Sequence, residues 1–219
     1  MSARILERSG TVPMHSALGD FSAEAFVVAD GREIDTHLVV THGELVDPVP
    51  TRINSACVTS EVFGDDRCDC AWQLEEALRR IIEFGSGVII YHPNQEGRGI
   101  GLFRKLQSYQ LMSRGMSTNE AFSALGEPAD ARSYGAAVTI LKALGIDRVR
   151  LLSNNPVKMQ ALEDGGISVQ DVDGVVGSHN PAWHEYLTSK ALDFGHRISI
   201  PRVGGASPSG NLREHEEEA

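Results

Sequence analysis

Residues 52–73 read RINSACVTSEVFGDDRCDCAWQ and hold all three cysteines of the chain, Cys57, Cys68 and Cys70. The spacing Cx10CxC puts Cys68 and Cys70 on the same side of an extended loop, with Cys57 at the end of the strand before it. Three thiolates so placed could ligate one metal ion. Structural zinc sites usually close with four protein ligands, whereas three leave a position open for chemistry. No histidine lies in the segment to supply a fourth. The plainer alternative is three buried or loop thiols, but the third cysteine and the charged flank DDRCDC favour a metal. An odd number of cysteines crowded into one stretch also argues against a disulfide framework.

Downstream, CAWQLEEALRRIIEFGSG (70–87) places Leu74, Leu78, Ile81 and Ile82 on one helical face, with acids early, arginines late and Gly85 as a stop. Upstream, AFVVAD (25–30), IDTHLVVTHG (34–43) and TRINSACV (51–58) read as strands separated by Asp-Gly and Pro-containing turns. Further on, GVIIYH (87–92) reads as a buried strand and GLFRKLQSYQLMSRG (101–115) as a helix. STNEAFSALG (117–126) is a helix opened by a Ser-Thr-Asn-Glu cap. From Tyr134 the chain alternates AAVTILKALG, DRVRLLS, PVKMQALEDGG and ISVQDV, a helix, strand, helix, strand succession, and a last helix is predicted over PAWHEYLTSKALDFGH (181–196). The fold class is therefore α/β: one mixed domain over 20–200, strand-rich at first and then alternating. A segment 1–19 precedes it, and a Gly/Ser/Pro-rich stretch with an acidic end, 201–219, is expected to be a mobile tail.

A chain of 219 residues with 41% hydrophobic content can bury one sizeable core. No apolar run approaches the roughly 18–20 residues a membrane span needs, and the N-terminus lacks the layout of a secretory signal, so a cytoplasmic address and no membrane partner are expected. A net charge of −10 and pI near 5.2 disfavour attraction to a nucleic-acid polymer. A small anionic ligand remains compatible if cations are gathered locally.

Two stretches could gather them. NQEGRGIGLFRK (94–105) has Gly97, Gly99 and Gly101 ahead of a helix start, which lets backbone amides approach a phosphate, although it is neither a dinucleotide fingerprint nor a P-loop. LLSNNPVKMQ (151–160) is a strand end leading into a helix with Ser153, Asn154 or Asn155 as cap, Pro156 in the first turn and Lys158 inside it. Each is also a common turn or helix start with no ligand. ADARSY (129–134) sets Asp130 two residues before Arg132, by itself an ordinary ion pair.

Taken together, RINSACVTSEVFGDDRCDCAWQL, YHPNQEGRGIGL, YQLMSRGMSTNEA, PADARSY and LLSNNPVK resemble the GTP cyclohydrolase II family of riboflavin synthesis, in order and spacing, over roughly residues 20–195. The resemblance implies a zinc enzyme, generally a homodimer also needing magnesium, that opens the imidazole ring of GTP. Such an enzyme releases formate and pyrophosphate and leaves 2,5-diamino-6-ribosylamino-4(3H)-pyrimidinone 5′-phosphate. It implies zinc ligation by Cys57, Cys68 and Cys70. Nucleotide binding falls to Arg52, Ile53, Asn54, Ser55 and Ala56, with Gln73, Glu96, Gly97, Arg98, Thr118, Ser153 and Lys158. Asp130 takes the place of the proton acceptor, Arg132 that of the nucleophile towards the α-phosphorus, and Tyr109 that of a tyrosine near the reacting base. An arginine stays protonated at ordinary pH, so a neighbouring carboxylate is needed if it is to attack phosphorus.

The sequence also departs from the family pattern. Asn54 and Ala56 stand where histidine and glutamate are usual, Ala71 where glycine is, Ser153 where threonine is and Met116 where tyrosine is frequent, and HPNQEGRG is one residue longer than the commonest loop. These departures motivate an alternative: a homologue that stops at the formamidopyrimidine or acts on another purine or pyrimidine nucleotide. A non-catalytic nucleotide-binding zinc protein is a third reading.

Overall fold

The computed structural model describes residues 3–177 apart from Arg32, together with Asn180, 183–196 and Ile198. The tail expected over 201–219 lies outside the described residues. Among the described residues, eight strands form one sheet: β1 Arg4–Arg8, β2 Val12–His15, β3 Asp20–Asp30, β4 Glu33–His42, β5 Val49–Ser55, β6 Gly87–His92, β7 Arg148–Leu152 and β8 Ser168–Asp173. Their order is β1-β3-β4-β6-β5-β7-β8, with β2 also paired to β3. The helices are α1 Val58–Glu61, α2 Cys70–Glu83, α3 Gly101–Met112, α4 Thr118–Ala124, α5 Gly135–Ala143, α6 Pro156–Asp164 and α7 His184–Phe194. Mixed α/β architecture follows, as the alternation of elements implied.

The sheet changes character partway across. β3 and β4 form a long antiparallel hairpin turning at Gly31, whose φ of 65° suits a residue without a Cβ. β4 pairs antiparallel with β6, whereas β5 pairs parallel with both β6 and β7, and β7 parallel with β8. β1 and β2, which fall in the segment 1–19 that the sequence set apart, pair antiparallel with β3. Both are short and mostly exposed, so their own patterns carried no apolar alternation; β3 supplies the register.

Successive side chains along the central strands serve opposite faces. Val39, Val88, Ile90 and Leu151 join Ile140, Leu141 and Leu162 of α5 and α6 in one core, while Val40, Ile89 and Leu152 join Ala77 and Ile81 of α2 in the other. β5 lies between these layers and is buried along its first six residues although it carries Thr51, Arg52 and Asn54. The carboxyl ends of β5, β6 and β7 therefore open on one edge. In parallel α/β sheets that is where ligands bind.

Candidate active site

The strand β5 delivers Cys57 to the N-cap of α1, and the loop after α1 returns Cys68, followed by Cys70 as the first residue of α2. The three sulfurs lie within 4.8 Å of one another, with Cys57 and Cys68 Sγ 3.6 Å apart. That is too long for a disulfide and close to the separation of about 3.8 Å expected for two thiolates on one tetrahedral zinc. Asp69, fully buried between two of the thiols, fixes the loop by accepting from Gln73 Nε2 at 2.7 Å and the Gly177 amide at 3.2 Å.

The thiols also share charge unevenly. Hydrogen bonds from Cys68 and Cys70, helped by Lys105, hold the Cys57 thiol far below its usual range. Its bond to Cys57 pushes Cys68 up to about 11, and Cys57 and Cys68 together push Cys70 well above the ordinary thiol value. The protein alone thus stabilises one thiolate of three. A dication is what would favour all three anions at once, so the donor set fits zinc.

Two adjoining cavities meet beside the thiols, sharing Ser55, Cys70, Arg98, Arg132 and Tyr186. The first is lined by the cations Arg52, Arg98, Arg132, Lys158 and Lys190 and, among the described residues, by no carboxylate. The second holds the three thiols with Glu96, Lys105, Tyr109, Thr118 and Phe122. Of the residues expected to bind a nucleotide, Arg52, Asn54, Gln73, Ser153 and Lys158 line the first, Ala56, Glu96, Gly97 and Thr118 the second, and Ser55 and Arg98 both. Ile53 lines neither: its side chain is core, and its carbonyl accepts from Lys158 Nζ at 2.7 Å.

Arg52 is buried and, among the described residues, donates to neutral oxygens, Asn54 Oδ1, Gln73 Oε1 and the Leu152 carbonyl. Burial lowers its pKa. Lys158 is buried too; burial first, then Arg52, Arg132 and Lys190, hold it well below the ordinary lysine value. It rides on α6, whose N-cap Asn155 accepts from the Val157 amide at 2.9 Å and whose first residue is Pro156, the helix start read from LLSNNPVKMQ.

Arg132 stands where the cavities join. It donates to both oxygens of Asp130, with Nε to Oδ1 at 2.9 Å and to Oδ2 at 3.1 Å, and Asp130 Oδ1 also takes the Arg132 amide. Burial opposes the charge on both, yet the pairing wins: Asp130 is held below the usual carboxylate range and Arg132 above its own. The segment docks on the 3-10 turn Pro93–Gly99 through Ala131 N to the Arg98 carbonyl at 2.9 Å. Arg98 itself has φ 61°, a left-handed backbone that costs a non-glycine residue about 1–2 kcal/mol and often marks a functional loop.

The departures are accommodated. Asn54 accepts from Arg52 and donates Nδ2 to Glu61 Oε1 at 2.9 Å; Glu61 also accepts from the Cys57 amide and from Tyr91 Oη. A carboxylate absent at Ala56 thus returns five residues later, facing the Cys57 backbone. The longer loop turns Asn94 outward to Asp35, leaving Gln95 to take Ser55 Oγ at 2.6 Å. Met116 lies between α3 and α4 and lines neither cavity.

Four side chains at this site went unread in the sequence: Glu61, Lys105, Tyr186 and Lys190. Lys105 Nζ lies 3.2 Å from Cys57 Sγ, 2.9 Å from Thr59 Oγ1 and 2.5 Å from Glu96 Oε1, and with Tyr109 it forms an i, i+4 pair on α3 that could have been seen. Tyr109 is pushed up to about 12, chiefly by burial, and so rests as a proton donor. Tyr186 and Lys190 form a similar pair on α7, but nothing local ties that helix to cysteines more than a hundred residues earlier.

Known proteins resemble this chain over most of its length. The family model described as GTP cyclohydrolase II matches residues 7–173. The chain is 40% identical to GTP cyclohydrolase-2 of Blochmanniella floridana over 196 residues, 89% of this chain and 97% of that one. It is likewise 40% identical to GTP cyclohydrolase-2 of Neisseria gonorrhoeae over 90% and 99% of the two chains. Riboflavin biosynthesis protein RibBA of Cytophaga hutchinsonii is 41% identical over 89% of this chain, which spans about half of that longer protein, 48%.

Proposed function

The chain belongs to the GTP cyclohydrolase II family, and from that membership we propose that it opens the imidazole ring of GTP hydrolytically, releasing formate and pyrophosphate. One observation carries the reading on this chain's own residues: a three-thiol cluster opens onto a cleft that has Arg98 and the Asp130–Arg132 pair at the join and Arg52, Lys158 and Lys190 beyond it. Cys57, Cys68 and Cys70 would hold a zinc ion, which when bound supplies Lewis acidity for C–N hydrolysis.

The cationic cavity takes the triphosphate, leaving the base to the thiol end. Arg52 and Lys158 bind phosphate oxygens, and Arg132 meets the α-phosphate as a cation held by Asp130. If Arg132 attacks phosphorus, Asp130 would take its proton. Tyr109, protonated at rest, can donate a hydrogen bond or proton at the base end. Magnesium enters on the triphosphate, since the only cluster of metal-ligating side chains among the described residues is the thiol set. Homodimeric assembly and a cytoplasmic setting belong to the same proposal.

A second reading is favoured by Asn54, whose amide is committed to Arg52 and Glu61, and by Ala56. Neither brings the usual imidazole or carboxylate to the cleft, and the enzyme would then stop at the formamidopyrimidine. Incubation with zinc, magnesium and GTP, with mass spectrometry of the products, separates the two, because loss of formate changes the mass of the pyrimidine. Replacing Arg132→Ala should abolish pyrophosphate release. Turnover of neither kind would refute the hydrolase reading.

A further inference from the structure

The family-defining match ends at residue 173, yet the wall of the cationic cavity continues beyond it. Helix α7 presents Tyr186, Lys190 and Phe194, spaced i, i+4 and i+8 on one stripe, and all three line that cavity. Tyr186 Oη lies 3.8 Å from Cys70 Sγ, Lys190 Nζ 3.3 Å from Asp69 Oδ1, and the Arg98 guanidinium 4.2 Å from the Phe194 ring. We propose that α7 closes the triphosphate end of the nucleotide site and that Lys190 is a phosphate-binding residue. The proposal rests on the reading of the site as one for GTP.

Three observations carry it. Asp69 is already served by Gln73 and by the Gly177 amide, so the long Lys190 contact is a third bond to one carboxylate. An ammonium has three donors, and although Lys190 Nζ also sits 4.1 Å from the centroid of the Tyr186 ring, that face and the one Asp69 oxygen do not use all three, so a ligand in the cavity can take a donor. The cavity also gathers five basic side chains with no carboxylate lining it among the described residues. Asp130 and Asp69 pair with Arg132 and Lys190, while among the described residues Arg52 and Lys158 donate to neutral oxygens. The surplus acts on its neighbours: burial, with Lys190 next, drives the His196 imidazole down to about 3, and His196 lines the same cavity. A bound polyphosphate is the partner that this charge distribution lacks.

The competing role for Lys190 is purely structural, holding Asp69 and through it the thiol loop. Glutamine separates the two, because its amide can still donate to Asp69 but carries no charge. Calorimetric titration of the zinc-loaded full chain with α,β-methylene-GTP is compared for wild type, Lys190→Gln and Lys190→Arg, with zinc counted per chain in each. Lys190→Gln should weaken binding at least tenfold with zinc content unchanged, and Lys190→Arg should stay within threefold of wild type. Equal affinity for Lys190→Gln and wild type overturns this proposal alone. Loss of zinc together with affinity in Lys190→Gln overturns it in favour of the structural role. A wild type that does not bind the analogue overturns the reading of the whole site, and this proposal with it.

Discussion

Lys158 shows how a single side chain can report on the state of the site. Its pKa is held well below the ordinary value of 10.5, first by burial and then by Arg52, Arg132 and Lys190. A base with a depressed folded-state pKa binds fewer protons folded than unfolded, so stability rises with pH between the folded pKa and the ordinary lysine value. Bound polyphosphate brings negative charge to the same atom, raises that pKa and narrows the window. The empty protein should therefore gain melting temperature as pH rises through that window, whereas the complex with α,β-methylene-GTP should show a flatter profile. Equal slopes with and without nucleotide would mean that no phosphate reaches Lys158. At this scale the sequence was legible in the three thiols, whose type and spacing point to a metal, whereas Asp130 and Arg132 read by themselves as an ordinary ion pair and took roles only from the family resemblance. It was silent on Glu61, because a glutamate in a four-residue helix acquires meaning only when the chain folds back and offers it the Cys57 amide and the Tyr91 hydroxyl.

Elements were read well wherever periodicity was strong. The helix predicted after the cysteines is α2, and the expected cap of α4 is a capping box between Ser117 and Glu120. The short edge strands β1 and β2 were missed because their registry comes from β3. Periodicity also does not reveal how closely two elements approach. Gly87, which opens β6, lies under α2 so tightly that an added Cβ would meet Ile81 Cγ2 at 2.5 Å and the Pro50 carbonyl at 2.9 Å. Ile81 is fully buried, and Ile81→Ala should destabilise by about 2–5 kcal/mol. Gly87→Ala should destabilise as well, by overpacking of about 1–3 kcal/mol. Because Ile81→Ala removes the nearest of these atoms, Cγ2, while Ile81 Cβ at 2.7 Å and the Pro50 carbonyl remain, the double variant should be less destabilised than the sum of the two, towards the lower end of about 0.5–3 kcal/mol in denaturant melts. Strict additivity would show that the strand and helix do not meet at these residues.

Over the whole molecule, a chain with net charge −10 concentrates five cations in one cavity, a contrast that composition conceals because it averages over the surface. The same long-range assembly joins the thiol loop to the rest of the fold. Asp69 links it to Gly177 and to Lys190 of α7, Lys105 brings in α3, and Glu61 ties the Cys57 amide to β6 through Tyr91. If the thiols hold zinc, its binding energy is shared by all of these contacts, because the unfolded chain has no preformed site. With metal at about a thousand times its dissociation constant, that linkage amounts to roughly 4 kcal/mol. For a chain of this size such a loss lowers the melting temperature by on the order of 10 °C. Chelation of the purified protein should therefore lower its melting temperature by that amount and expose the 58–70 loop to proteolysis, and added zinc should reverse both. Cys68→Ser should melt like the chelated protein and respond little to zinc. A melting temperature indifferent to chelation, in protein first shown to contain zinc, would mean that the cluster does not couple metal to the fold and that the three thiols are held together by packing alone.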